Sequence, residues 1–562
     1  MKHWIVLTAI ALLGVTAIVV SERRKVDVAA SPTALLYLVA DTERELTRMP
    51  VTFTRMSDQD EILVGDQLAR LYTFRSPDKT DPEIVEIQRY LTEVGWRLAP
   101  RAHRRLPYQF HYIPDKYFVN AFALPGGHIY VGAGLLSLMD SEDELAAVIG
   151  HEIEHIDHYH CAERVQQEQA LRRIPLGELV ALPVEVFEAG YNKDQEMEAD
   201  REGTRLAVES GYSATGAIRM FEAFQRVYDD YLNPAKTPQQ ELSQVAMQTI
   251  EGYFRSHPLP AERIAQVRSL IASEQWPLRP ERDLAVGYIF WTARAKDALD
   301  SKKYQRAQQL STQSLKVRPE QPTALSVLAQ AQFAQADFSG AAASYRKLLD
   351  VSGWTIELAE AYALSLAAAN PKTAVAEFRP WMASAKGDTR DLQVPLAGLS
   401  LLSGDATPAK AAIAAGRSHD DLGPMWLGKL GWWSYLAGDY PAAANLLGDA
   451  VQQRPDEVRL ALRLAWAWIE QRRLADALQI LSSNSYDSVS QAEKSMARAV
   501  ARWQAQERDA ALGDFTAAVS GQPEWENPHW VKALYSPLVA QSVQQMQVES
   551  ERRRKALAAK VR

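Results

Sequence analysis

His151-Glu152-Ile153-Glu154-His155-Ile156-Asp157-His158-Tyr159-His160 is the stretch from which the rest of the chain can be read. It contains the pattern His-Glu-x-x-His. Positions i and i+4 of a helix lie on one face. His151 and His155 can therefore aim two imidazoles at one metal ion. Glu152 is offset by one residue, which places its carboxylate beside such an ion rather than on it. That is the place of a general base acting on a polarised water. The bland alternative is a surface helix rich in His and Glu, so the flanking sequence has to decide.

Upstream, Ser141-Glu142-Asp143-Glu144 reads as a capping box, Ser141 at N-cap and Glu144 at N3. Leu145, Ala146, Val148 and Ile149 follow as an apolar stripe, so the motif falls on a half-buried helix. Burying two His and a Glu needs a compensating charge, and a metal supplies one. A catalytic zinc takes three protein ligands and keeps one position open. A His six residues after His155 is one possible third ligand, but Cys161 stands there. The other is a Glu on a later helix. In Asp194-Gln195-Glu196-Met197-Glu198-Ala199-Asp200, Glu196 and Asp200 share a face. Glu196 can then be the ligand, and Asp200 can accept Nδ1–H of a ligand His and fix its tautomer. Glu198 is expected to point elsewhere.

These segments resemble the HtpX/BepA-type zinc metallopeptidases, gluzincins that include the CAAX prenyl proteases. Asn120 to Val131, with its Pro125-Gly126-Gly127 turn, is similar to the family's strand-and-turn segment. Asp143 to His155 is similar to its active helix, and His160 to the His that closes the motif. Glu196-x-x-Ala199-Asp200 is similar to the third-ligand helix, and Ser256-His257-Pro258-Leu259-Pro260 with Arg263 to a further motif. Tyr159 departs from the Arg common there. The resemblance implies one Zn2+ per chain on His151, His155 and Glu196, with Glu152 as base. It also implies that Gly127, His128, Ile129 and Tyr130 form an edge strand that pairs with substrate main chain. It implies that the His257 loop approaches the site, where a matching His can occupy the open zinc position and hold the enzyme latent. Arg263 would then stabilise the oxyanion or orient that loop.

The chain has 562 residues, too many for one core. A net charge of −8 gives no support for nucleic-acid binding, and a lone cysteine, Cys161, excludes an internal disulfide and a Cys-based zinc site. Residues 1–25 carry an apolar run from Trp4 to Val20 between basic flanks. This reads as a signal peptide or an N-terminal membrane anchor, and so as export to the periplasm or cell envelope. Residues 26–59 read as linker and 60–275 as the α+β metallopeptidase domain with a small sheet. Residues 161–193 read as a lid and 230–245 as a loop.

From about residue 285 a period of 34 residues sets in. Tyr304, Phe338, Tyr440 and Leu474 share its phase, and an Ala follows three residues after each: Ala307, Ala341, Ala443 and Ala477. The pattern resembles the tetratricopeptide repeat, in about seven copies with the third and fourth less regular. Residues 285–540 are thus expected to form an all-α solenoid, with 541–562 as a charged C-terminal helix or tail. The overall class is mainly α. Two functions compete. One is a zinc metalloendopeptidase of the envelope, in protein quality control, whose repeats hold protein substrates or partners. The other is a repeat-based adaptor or chaperone with a latent peptidase domain. The presence of every catalytic residue favours the first.

Overall fold

A computed structural model of the chain describes residues 56–71, 80–172, 187, 191–232, 260–418, 423–482 and 488–561. Two compact units divide between Val286 and Gly287. The first therefore runs past the expected limit at residue 275. The reason is a latch. Glu142 N–H donates to Arg282 O (2.9 Å), and Arg282 N–H donates to Asp143 Oδ2 (2.7 Å). The segment before the repeats is thereby tied to the start of the motif helix.

In the first unit, α1 (Asp58–Leu71) and α2 (Pro82–Leu98) precede the sheet. Asp81 caps α2 by accepting from Glu83 N and Ile84 N, with Pro82 at its first turn. Ile87, Leu91 and Val94 are buried as their spacing predicts, whereas Leu63 of α1 faces solvent. The strands β1 (Gln109–Ile113), β2 (Ala121–Leu124) and β3 (His128–Gly132) lie in the order β1-β3-β2. β3 pairs parallel with β1 and antiparallel with β2. Gly126, at φ 76°, makes the turn between β2 and β3. A Cβ there would sit 2.6 Å from Ile62 Cα, so only glycine fits against α1.

The motif helix, α3 (Glu142–Asp157), is buried along all of its 16 residues. This exceeds the half-burial expected, because α2, β2, α5 (Lys193–Glu209) and α6 (Thr215–Leu232) surround it. Ser141 caps it by accepting from Glu144 N (3.2 Å), while Glu144 accepts from Asp140 N (3.0 Å) instead of closing the box. Its acidic first turn meets Arg97 and Arg282 and suits the positive end of the helix. Tyr159 takes φ 63° in the turn to α4 (His160–Arg172), and Arg104 stacks 3.7 Å over its ring. Residues 161–172 of the expected lid are thus helix, and most of the remainder lies outside the described residues. α7 (Pro260–Ser273) begins at Pro260, whose fixed φ suits a first helical position.

The second unit is a succession of helix pairs, seven among the described residues. They are α8 (Gly287–Asp300) with α9 (Tyr304–Val317), α10 (Pro322–Ala334) with α11 (Phe338–Ser352), and α12 (Ile356–Ala369) with α13 (Pro371–Ser384). Next come α14 (Gln393–Leu402) with α15 (Thr407–Ser418) and α16 (Gly423–Leu436) with α17 (Tyr440–Gln453). The last are α18 (Val458–Glu470) with α19 (Leu474–Ser482) and α20 (Ser488–Gln504) with α21 (Arg508–Gly521). The four residues that set the phase each open a second helix. The Ala three residues on is fully buried in all four, where a larger side chain would hold the pair apart.

A further signature follows the same period. Left-handed φ recurs at Lys302, Ala336, Gly404, Gly438, Arg472 and Gln506, each in the turn within a pair. The 34-residue phase misses only at Asn370. There φ is −159°, and a single residue that caps α13 joins it to α12. That short joint accounts for the irregular third copy. α22 (Pro528–Leu534) and α23 (Pro537–Val561) complete the unit. Val539, Val543 and Met546 are buried against the last pair, so the start of the expected charged tail belongs to the core.

Residues 523–536 lie against helices of several of the repeats. Tyr304 OH donates to Glu524 Oε1 (2.7 Å), and Trp525 is fully buried beside Trp466. α22 packs on α12. Tyr535 OH donates to Glu493 Oε1 (3.2 Å), and Ser536 bonds Glu470. Residues 523–536 thus pack on helices of several pairs of the unit.

Candidate metal centre

Three donor atoms converge between α3 and α5. His151 Nε2 and His155 Nε2 are 3.0 Å apart, and Glu196 carboxylate oxygens lie 3.5 Å and 3.7 Å from them. Among the described residues this is the cluster of His, Cys, Asp or Glu able to hold a metal. The donors fit the ion. A tetrahedron with zinc bonds of about 2.05 Å has ligand–ligand edges of roughly 3.3 Å. Burial alone would lower the His151 pKa, yet Asp200 and Glu196 raise it to about 10. A pocket that draws a proton so firmly is one built for positive charge.

Each donor is held from behind. His151 Nδ1 lies 2.9 Å from Asp200 Oδ1, and Arg263 clamps that carboxylate with Nε (2.6 Å) and one terminal nitrogen (2.5 Å). Burial would raise the Asp200 pKa, but Arg263 and His151 hold it below the ordinary value. Glu196 Oε1 accepts from Tyr191 N–H (3.0 Å), and the Tyr191 ring stacks 4.0 Å from that of His155. His155 Nδ1 is 3.0 Å from His160 Nδ1, and His160 Nε2 is 3.3 Å from Glu198 Oε2. Glu198 therefore stands behind the second imidazole as Asp200 stands behind the first. It keeps off the donor cluster, as the sequence reading expects, and what that reading lacks is its support of His160, which the return of the chain at Tyr159 brings under His155.

Two further expectations need correction. Arg263 is 1% exposed with its fork spent on Asp200, so it is no oxyanion donor and acts through that carboxylate. The segment Gly127, His128, Ile129 and Tyr130 is no open edge, because strands on both sides take its main-chain groups. His128 instead contacts Asp66 (2.9 Å) and His111 (3.1 Å) inside the sheet region. His257 lies outside the described residues. Glu152 is 5% exposed, and burial lifts its pKa to about 7, with His151 opposing and Glu196 adding. Buried Cys161 is inert, its thiol pushed far up by desolvation.

What brings the two helices close enough is a pair of glycines absent from the sequence reading. Gly150 precedes His151, and Gly203 lies two turns after Glu196. A Cβ on Gly203 would sit 2.6 Å from His151 N, and one on Gly150 2.7 Å from Gly203 O. The helices cross backbone to backbone, which leaves room for three donors to reach one point.

Residues 86–271 match the model of peptidase family M48. The chain carries an M48 peptidase domain. Residues 292–353 and 435–487 match tetratricopeptide repeat models, so the M48 domain is followed by such repeats. A "Putative beta-barrel assembly-enhancing protease" of Vibrio cholerae is 28% identical over 48% of this chain and 63% of its own. The "Beta-barrel assembly-enhancing protease" of Escherichia coli K12 is 26% identical over 38% of this chain and 44% of its own. The chain thus spans less than two thirds of either relative. "Mitochondrial metalloendopeptidase OMA1" of Arabidopsis thaliana is 33% identical over 20% of this chain and 25% of its own.

Proposed function

We propose that this chain is a zinc-dependent endopeptidase of the cell envelope, acting in protein quality control, with repeats that hold protein substrates or partners. The observation that carries the reading is the buried triangle of His151, His155 and Glu196 with Glu152 beside it. The M48 match supports the chemistry, and the names of the bacterial relatives support the setting. Among the described residues no helix is long and apolar enough to cross a membrane. The run Trp4 to Val20 lies outside them.

When bound, zinc supplies Lewis acidity that activates a water and polarises the scissile carbonyl. Glu152 takes the proton of the attacking water and delivers it to the leaving amine, and a pKa of about 7 suits both tasks. Asp200 and His160 keep the two imidazoles oriented with Nε2 toward the ion.

The test is metal content together with casein cleavage by the purified chain. Glu152→Gln is expected to retain stoichiometric zinc and lose roughly 10²–10⁴-fold in rate. A zinc-loaded native chain that leaves casein intact would instead favour the adaptor reading.

A further inference from the structure

The end of α3 carries a second pair of donors with the spacing of His151 and His155, three residues further on. Glu154 Oε2 lies 3.2 Å from His158 Nε2. Both atoms are buried, yet neither has a hydrogen-bond partner among the described residues, each other included. The separation suits an ion pair, but the alignment that a hydrogen bond needs is missing. Tyr108 OH, within electrostatic reach of Glu154 and Asp157, is a third buried atom without such a partner. Glu154 is 2% exposed, and a carboxylate oxygen buried in this way is costly unless something satisfies it.

A water and a metal ion make different demands on the pair. A water about 2.8 Å from each atom would see them about 70° apart, too close for its tetrahedral bonding. A zinc ion about 2.05 Å from each would see them about 103° apart, near the tetrahedral angle. The surroundings also favour a cation. α3 ends at Asp157, so both donors sit at its negative pole. Glu198 and Glu202 approach from α5, Glu198 Oε1 at 3.7 Å from His158 Nδ1. That carboxylate favours the proton on Nδ1 and leaves the Nε2 lone pair free. The nearby cations are engaged, Arg104 with Asp58 and Glu61, and Arg201 and Arg205 with Glu202. The His158 side chain is 30% exposed, which gives an ion a way in and water for its remaining positions.

We propose that Glu154 and His158 form a second, exchangeable site for Zn2+ or a similar transition-metal dication, with water completing the coordination. Having two protein donors instead of three, it is the weaker site. Glu198 stands between His158 and His160, so the two sites share one supporting carboxylate.

Equilibrium dialysis of the full chain against buffered free Zn2+, from nanomolar to submillimolar, tests it by metal content. The native chain is expected to take up one ion tightly and a second at higher free zinc. Glu154→Gln and His158→Asn should each weaken the second by roughly tenfold or more. Both should keep the first ion, which shows that they fold. If His158→Asn loses both, the isosteric Glu154→Gln decides. His103→Asn removes an exposed imidazole beside Asp157 and should keep both ions. The proposal is overturned by a native chain that saturates at one ion, by a second ion held at native affinity in Glu154→Gln, or by loss of that ion in His103→Asn. A native chain that takes up no ion at all removes the reading of the His151 cluster as well.

Discussion

Gly203→Ala adds a single methyl at the crossing of the two helices that carry His151, His155 and Glu196. That carbon would sit 2.6 Å from His151 N and 2.8 Å from both Gly150 C and His151 Cα. These are backbone atoms of a helix buried on all sides, so no side chain can swing away. Ordinary contact needs about 3.4 Å or more, so α3 and α5 must part by roughly 0.8 Å. Metal–ligand distances tolerate about 0.2 Å. The donor edges of 3.0, 3.5 and 3.7 Å leave no slack to absorb the shift, because Glu196 rides on the displaced helix. Two terms oppose each other in stability. Ala gains about 1 kcal/mol over Gly in a helix interior. Overpacking costs about 1–3 kcal/mol. A net loss is expected, and zinc affinity should fall by roughly tenfold or more. Competition with a fluorescent chelator reads the affinity, and thermal melting with and without zinc reads the stability. A variant that binds zinc as tightly as the native chain and melts higher refutes the crossing argument.

His160→Ala and Glu198→Ala should each weaken zinc binding by about 10-fold to 100-fold by freeing the His155 ring, and unchanged chelator competition in both rules out this support. Glu144 has a folded-state pKa of about 7, raised first by burial, with the Asp140 N–H and Arg219 opposing. The folded chain then holds an extra proton between about pH 4.5 and 7, so this group makes stability fall as pH rises through that window, by up to about 3 kcal/mol. Melting curves should show Glu144→Gln gaining on the native chain toward pH 7.5, and a constant difference across the window discounts the shift. His257→Ala is expected to keep zinc and raise basal proteolysis, self-cleavage included, because α7 starts three residues on and its Arg263 lies 3.9 Å from Glu196. A fall in rate makes His257 a donor in the reaction, and no change ends the latency idea.

The convergence of the three candidate donors and the repeats were legible because both rest on local periodicity. A spacing of four fixes a helical face, and a spacing of 34 fixes a helical pair. Even the third repeat's irregularity had a local cause, the single-residue joint at Asn370. What escaped was set by contacts distant in sequence. The place of β3 depends on which strands flank it, and alternation within β3 carries no trace of that. Arg263 shows a charge near a motif but not the direction it faces. Glu198 looked idle until the chain reversal at Tyr159 placed His160 between it and His155. Gly150 and Gly203 did leave a signal: glycine inside a helix costs stability, and two such positions beside metal ligands ask for a packing reason.

Residues 523–536 change how the second unit comes apart. A stack of repeats ordinarily contacts only nearest neighbours, so its ends fray independently and folding can start anywhere. Here the bond between Tyr304 and Glu524 joins positions 220 residues apart, and Asn527 reaches Gln335 across 192. Such closures raise contact order and slow folding. They also couple the first repeat to the last, so that neither end can open without releasing the other. The array should unfold as one cooperative block instead of peeling, and hydrogen exchange in α9 should be as sensitive to Trp525→Ala as exchange in α20.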